Sequence, residues 1–183
     1  PLSSMGQHER EKWFGCACCP GNITRFVASV PKYMYATKGH DIFVNLYIAS
    51  TSVVDLENGC VSLKQETAYP WEGKVRISVN PSIEGSFALK LRIPGWAQGK
   101  PVPTDLYSYA NDVERKYEVL VNGKKVNSKL VDGYVSIDKA WKAGDVVEIS
   151  LPMTVNVTVA NEKVEADKGL VELERGPIVY CLE

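Results

Sequence analysis

The fold is decided by the stretch Tyr117-Glu118-Val119-Leu120-Val121-Asn122-Gly123-Lys124-Lys125-Val126. Asn122 and Gly123 both tolerate positive φ, which the tight turn of a two-residue hairpin requires. The valine-rich residues before the turn are typical of a strand. This stretch therefore predicts two antiparallel strands joined by a tight turn.

Short apolar runs and turn residues continue on both sides of this hairpin. Apolar and polar residues alternate, as in strands that bury one face and expose the other to water. Further strands are predicted at 42–48, 74–80, 87–93, 134–138, 145–151, 154–160, 170–173 and 178–182, and further turns at 57–59, 132–133 and 143–145. One long loop is predicted from Gly95 to Asp112. The chain is therefore expected to be all-β, an antiparallel β-sandwich of jelly-roll type.

A short helical segment is predicted ahead of the strands. Apolar residues recur at helical spacing at Ile23, Phe26, Val27 and Val30. Asn22 is expected to cap this helix, because its side-chain oxygen can accept from the first backbone N–H groups. Pro31 is expected to break it, followed by a second short turn over 32–35 and an end at Gly39.

Composition and charge exclude two classes of partner. The 183 residues include 21 Lys and Arg against 22 Asp and Glu, a net charge of −1, with neither sign clustered. No nucleic acid is expected as a partner, because neutralising phosphates requires a basic surface. No membrane is expected either, because no apolar run approaches the roughly 20 residues that span a bilayer.

Three of the five cysteines, Cys16, Cys18 and Cys19, lie together just ahead of the predicted helix. The N–H groups at a helix start stabilise a thiolate, which would make one of these thiols a nucleophile. Several thiols together can also bind zinc, although no second Cys or His pair follows to complete a zinc ribbon. A third interpretation is that these side chains are simply buried, as is expected for Cys60 and Cys181. The residues alone leave these three alternatives open.

The cysteine cluster is part of a longer motif, Trp13-Phe14-Gly15-Cys16-Ala17-Cys18-Cys19-Pro20-Gly21-Asn22, which Arg25 follows. In this motif the chain resembles the β-L-arabinofuranosidases of glycoside hydrolase family 127. Three further stretches are similar to that family in the same order, at 91–96, 133–153 and 175–180. The resemblance covers nearly the whole chain.

The resemblance implies a large enzyme in which an (α/α)6 catalytic barrel is followed by β-sandwich domains. Residues 1–38 would be the end of that barrel and residues 41–183 a sandwich domain. The chain is therefore expected to be a C-terminal fragment, with the missing barrel as its partner and a carbohydrate as the substrate. The apolar helix face would need the barrel to cover it, or could support an oligomer.

The resemblance also implies roles for two cysteines. Zinc in that family is held by a glutamate and three cysteines, and the adjacent pair corresponds to Cys18 and Cys19, with Cys18 as the nucleophile of a retaining mechanism. The other zinc ligands and the acid/base glutamate would lie upstream, because His8, Glu9 and Glu11 match none of these roles. The fragment alone is expected to bind zinc weakly or not at all, and to be inactive.

Two further functions are compatible with the sandwich. A carbohydrate-binding module could use aromatic rings in or beside turns, at Trp71, Trp96, Tyr107 and Tyr109. Trp96 and Trp141 are instead expected to pack inside the domain. The interpretation we favour for residues 41–183 is that they brace the catalytic barrel. The sequence does not distinguish a periplasmic from a cytoplasmic location.

Overall fold

The computed structural model describes residues 18–82 and 85–180 of the chain. The chain divides into two compact units, one ending at Tyr33 and one beginning at Met34. No helix in the described part of the chain is long and apolar enough to cross a membrane.

The first unit contains helix α1 (Cys18–Ser29) and a 3-10 turn (Val30–Tyr33). The second unit contains fifteen strands within the described residues, which makes it the β unit. They are β1 (Tyr35–Lys38), β2 (Asp41–Val44), β3 (Ser50–Leu56), β4 (Gly59–Thr67), β5 (Lys74–Pro81), β6 (Ser86–Arg92), β7 (Tyr107–Tyr109), β8 (Glu118–Val121), β9 (Lys124–Lys125), β10 (Leu130–Val131), β11 (Tyr134–Ala140), β12 (Asp145–Ser150), β13 (Val155–Ala160), β14 (Val171–Arg175) and β15 (Ile178–Tyr180). Its loops carry two more 3-10 turns, Gly95–Gln98 and Glu165–Asp167.

The strands form three sheets. The first sheet has the order β1-β2-β6-β11-β10, the second β3-β4-β5-β12-β8-β9, and the third β15-β14-β13-β7. Among the described pairings only β2 and β6 run parallel, with Ile42 opposite Leu89. The prediction of an all-β, antiparallel sandwich is confirmed, with this pair as the exception.

The core of the β unit joins side chains of the first and second sheets. Ile42 and Leu91 of the first sheet and Leu63 and Ile77 of the second are completely buried and belong to one apolar cluster. They sit at alternate positions of their strands, so the opposite faces carry the polar residues. The two sheets therefore bury their apolar faces in a common core, as in a β-sandwich.

The helical segment differs from its prediction at both ends. Asn22 lies inside α1 rather than at its cap, because the helix includes Cys18–Ser29. The break expected at Pro31 is present, since the α-helix stops at Ser29 and a 3-10 turn follows. The second turn expected over 32–35 ends earlier, and Tyr35–Lys38 instead forms β1, paired with β2. Pairing with β2 satisfies the hydrogen-bonding groups of this backbone segment. The spacing of apolar residues along the segment does not reveal this partner strand.

The predicted turns form at most of the expected positions. Asn122 and Asp132 have φ of 49° and 50°, each followed by a glycine with positive φ, as tight hairpins require. The turn at 143–145 does not close a hairpin, since it joins β11 of the first sheet to β12 of the second. The loop expected from Gly95 to Asp112 contains the short strand β7.

Candidate active-site cysteine pair

Cys18 and Cys19 are the first two described residues of α1, and both are exposed. Their Sγ atoms lie 3.7 Å apart, too far for a disulfide bond of about 2.0 Å. The structure thus presents two adjacent, exposed thiols in the first described turn of α1.

The helix places a cation along the same stripe as Cys18. Asn22 and Arg25 follow Cys18 by one and two turns, and the Arg25 guanidinium donates from Nη2 to Asn22 Oδ1 at 2.5 Å. Side chains in a helix lean toward its N-terminus, so this hydrogen bond directs the guanidinium toward the end that carries the thiols. Arg25 therefore contributes positive charge on the Cys18 side of the helix.

Cys19 lies on the apolar stripe of α1. Ile23 and Phe26 follow it at helical spacing, and both are 62% exposed, while Val30 is partly buried. The Phe26 ring packs at 6.5 Å from that of Tyr33 within the same unit. The predicted apolar face of the helix therefore exists, with large side chains exposed on it.

The spacing of the two sulfurs fits part of a zinc site. In a tetrahedral site with Zn–S bonds of about 2.3 Å, neighbouring sulfurs lie about 3.8 Å apart. The 3.7 Å between Cys18 Sγ and Cys19 Sγ matches this spacing, so the pair could occupy two corners of the tetrahedron. No group of three or more His, Cys, Asp or Glu able to hold a metal occurs among residues 18–82 and 85–180. The described residues therefore do not contain a complete set of zinc ligands.

Several residues considered from the sequence lie outside the described residues, namely His8, Glu9, Glu11, Cys16 and Cys181. Cys60 is described and is only partly buried, at the start of β4. Its Sγ lies 3.3 Å from Ser82 Oγ, and its backbone N–H donates to the same oxygen at 3.1 Å. Cys60 thus packs against Ser82, directly after the end of β5.

The aromatic side chains divide between packing and exposure. Trp96 and Trp141 are buried, and the Trp141 Nε1–H donates to the Phe87 carbonyl oxygen at 3.0 Å, as their predicted packing role requires. Trp71 is 65% exposed, whereas Tyr107 and Tyr109 are half-buried on β7. The four aromatic residues proposed for sugar binding therefore do not form one exposed platform.

The sequence interpretation missed a polar cluster on the third sheet. Glu174 and Thr158 are buried there, and Glu174 Oε1, Thr158 Oγ1 and Tyr109 Oη lack hydrogen-bond partners among the described residues. Burial raises the pKa of the Glu174 carboxyl, and burial together with the nearby Glu174 raises the pKa of the Tyr109 phenol. The Glu174 side chain therefore lies close enough to Tyr109 to raise the pKa of its phenol, but no well-aligned hydrogen bond joins the two groups. The sequence does contain a pattern that could have revealed this cluster: polar residues alternate with apolar ones in β13 and β14, which predicts a polar face on each strand.

Comparison with known families gives two matches along the β unit. Residues 41–153 match the family described as "Beta-L-arabinofuranosidase, GH127 middle domain". Residues 155–183 match the "Glycoside hydrolase family 127 C-terminal domain". Among curated proteins, a non-reducing end β-L-arabinofuranosidase of Bifidobacterium longum subsp. longum is 36% identical over 181 residues, 95% of this chain.

Solved structures are similar over the same length. A GH127 β-arabinofuranosidase superposes with a TM-score of 0.91 and 48% identity over 97% of this chain. A GH127 β-L-arabinofuranosidase from Geobacillus stearothermophilus T6 gives a TM-score of 0.81 and 41% identity over 97% of this chain. The chain spans only about a quarter of each relative, 24% of the Bifidobacterium protein and 28% and 26% of the two solved chains.

Proposed function

The chain belongs to glycoside hydrolase family 127, and on that premise we propose that it forms part of an enzyme that hydrolyses β-L-arabinofuranosidic bonds. The observation that carries this proposal is the family match over residues 41–153 and 155–183. The arabinofuranosidases described above are each similar to at least 95% of the chain. Arabinofuranosyl-containing glycans are therefore the proposed substrates.

We assign the nucleophile to Cys18. Its position in the first described turn of α1, next to Cys19 and along the stripe of Arg25, supports a thiolate at this point. Cys18 and Cys19 would together hold zinc, which agrees with their 3.7 Å sulfur separation. Zinc coordination keeps a cysteine deprotonated and so supplies a nucleophile at neutral pH without a neighbouring base.

The proposed reaction has two displacements at the anomeric carbon. Cys18 Sγ attacks this carbon, so that a C–S bond forms while the glycosidic C–O bond breaks and the leaving oxygen takes a proton from an acid. Water then attacks the same carbon, gives its proton to the resulting base, and returns the thiolate. Two inversions retain the configuration, as in glycosidases with a carboxylate nucleophile. The acid/base must be a group other than the two thiols.

We propose that residues 41–183 mainly brace the catalytic part of the enzyme. In support of this role, the described core is apolar and is filled by side chains of the first and second sheets. The 183 residues alone should be inactive, because Cys18 and Cys19 would supply only half of the four ligands of a tetrahedral zinc site, and the rest of the described chain forms no larger metal-binding group.

The proposal is tested with the full-length enzyme on an aryl β-L-arabinofuranoside. Cys18→Ser should lower kcat by about a thousandfold or more, since removing a nucleophile removes the main chemical step. Cys60→Ser is the matched control, because Cys60 is a partly buried cysteine in the β unit, and its activity should stay unchanged. Metal analysis should find about one zinc per wild-type chain, and NMR of the first-formed sugar should show retained configuration.

Each outcome has a separate meaning. Unchanged hydrolysis in Cys18→Ser would refute the nucleophile. Absence of hydrolysis in the wild type, with the protein folded, would refute the arabinofuranosidase assignment. Activity in the isolated 183-residue chain would show that its own residues complete the site, against the proposal.

A further inference from the structure

The third sheet carries a continuous apolar face. Residues directly opposite each other in paired antiparallel strands share a face, so Val157 of β13, Leu173 of β14 and Tyr180 of β15 form one row across the sheet. Side chains alternate along a strand, so the rows on either side of this one belong to the same face. They add the apolar residues Val155, Ile178, Val159 and Val171, with Arg175 at one end.

This apolar face is open to solvent. Val155 is 55% exposed, Val171 63% and Tyr180 46%, and the other apolar side chains of the face are only partly buried. Among the described residues, the apolar core of the β unit includes no side chain from β13, β14 or β15. An apolar surface that spans three strands is uncommon on a monomer and marks a place where another surface packs.

The opposite, polar face of the third sheet is already covered. Asn156, Thr158 and Glu174 point to it and are buried. The Arg115 guanidinium, from the segment between β7 and β8, lies 4.3 Å from the Tyr109 ring centre and donates from Nε to Asn156 Oδ1 at 3.0 Å. This segment therefore packs on the polar face. The sheet is left open on the side that would gain most free energy from burial.

The family match indicates what covers the apolar face. Strands β13, β14 and β15 lie within residues 155–183, the part that matches the GH127 C-terminal domain. This part is shorter than the roughly 40 residues below which a domain rarely forms a stable core without disulfides, metals or association. The chain also spans only 24% to 28% of its relatives, so the same polypeptide can hold more of that domain. An apolar sheet face is ordinarily covered by a second sheet about 10 Å away.

We propose that the apolar face of the third sheet docks against a second sheet of the same polypeptide, formed by residues that follow position 183. The third sheet is then one layer of a second β-sandwich, whose core includes Val157, Leu173 and Tyr180. The docking segment should consist of strands with alternating apolar residues, since one face of it enters this core and the other meets water. A strongly charged partner is excluded, because burying unpaired charges against these apolar side chains is costly.

Cysteine reactivity in the full-length enzyme tests whether the face is covered. Val171→Cys should react with a maleimide about a hundredfold more slowly than Val53→Cys, because its thiol would be reached only during local opening. Val53 is the matched control, since it is 62% exposed on β3 of the second sheet and stands opposite the polar Ser62. Val155→Cys should be protected like Val171→Cys. Mass spectrometry of the peptide that carries each new cysteine separates its reaction from that of the natural cysteines.

Photo-cross-linking in the same enzyme identifies the covering segment. A diazirine amino acid at position 171 should link to a peptide that follows position 183 in the same chain, and the same group at position 53 should not. A mixture of ¹⁵N-labelled and unlabelled enzyme reports whether the two linked peptides come from one chain or from two.

Three results would overturn the proposal. Equal maleimide reaction of Val171→Cys and Val53→Cys would show that the face is open in the full-length enzyme. A cross-link between labelled and unlabelled chains would assign the face to a second copy. A cross-link to a peptide that precedes Cys18 would assign it to the catalytic part of the enzyme. Hydrolysis enters none of these measurements, so each of these results leaves the proposed function untouched.

Discussion

Asp145 is the residue whose loss should most directly weaken the β unit. Three donors converge on its carboxylate, which is 8% exposed. Asn122 Nδ2 donates to Oδ1 at 2.8 Å, while Lys139 Nζ and the Lys142 backbone N–H donate to Oδ2 at 2.7 and 3.0 Å. These bonds connect β12 to the β8–β9 hairpin and to the end of β11. Asp145 therefore links both sheets of the sandwich at one edge.

The magnitude follows from the pKa of Asp145. Burial alone raises it, but the hydrogen bonds from Lys139, the Lys142 N–H and Asn122 outweigh burial and lower it from 3.8 to about 2. One pKa unit corresponds to about 1.4 kcal/mol, and the carboxylate lies near the surface, so about 1–2 kcal/mol of stability depends on its charge. Because the pKa is lower in the folded protein, this stability is present above about pH 5 and is lost as the pH falls toward 2.

We expect Asp145→Asn to lower the free energy of unfolding by about 2 kcal/mol at pH 7. The substitution replaces one carboxylate oxygen of residue 145, a hydrogen-bond acceptor, with an NH₂ group, which is a donor. This new donor then faces another donor, either Asn122 Nδ2 or Lys139 Nζ. Asn122 cannot simply flip, because its Oδ1 accepts the backbone N–H of Val146 at 2.9 Å. Urea unfolding at pH 7 and pH 3 measures the effect, and Asp138→Asn, at an exposed position of β11, is the matched control.

Two results would refute this reasoning. The first is an Asp145→Asn variant no less stable at pH 7 than Asp138→Asn. The second is a wild type and an Asp145→Asn variant that lose the same free energy of unfolding between pH 7 and pH 3. In that case the carboxylate would not contribute to the acid sensitivity of the fold.

Two substitutions test the packing of the β unit by the same unfolding assay. Gly73→Ala should lower the free energy of unfolding by about 3 kcal/mol or more, because the new Cβ would overlap the Leu151 carbonyl oxygen. Gly21→Ala is the control: the space around its new Cβ is open, so the free energy of unfolding should be unchanged or slightly higher. Equal stabilities of these two variants would contradict the packing described at Gly73. Trp141→Phe should cost about 1–3 kcal/mol, because the buried Phe87 carbonyl oxygen loses the 3.0 Å hydrogen bond from the indole. A change within about 0.5 kcal/mol would mean that this hydrogen bond contributes little.

Much of the β unit could be predicted from local patterns. The strands 87–93 and 145–151 correspond closely to β6 and β12, and the turn at Asn122 has the positive φ that its sequence predicts. The strands β3 and β4 were missed although the turn between them was expected. The strand β3 begins with Ser50, Thr51 and Ser52, so polar residues occupy both of its faces there and interrupt the apolar pattern that identifies a strand.

The candidate active site was only partly predictable. The sequence motif singled out Cys18 and Cys19, and the structure adds that their sulfurs are at a spacing suitable for zinc. Their roles as nucleophile and zinc ligands remain proposals. Asn22 was misassigned as a cap because a good capping residue can also lie inside a helix that starts earlier.

The sequence by itself determined the fold class, the tight turns and the adjacent cysteine pair, because each of these depends on residues close together in the chain. Only the tertiary structure decided which strands pair, as in the parallel contact of β2 with β6. It also decided the hydrogen bond from Tyr107 Oη to Asp167, two residues that lie 60 positions apart in the chain. Such contacts depend on how distant segments pack together, and neither residue carries a local signal for its distant partner.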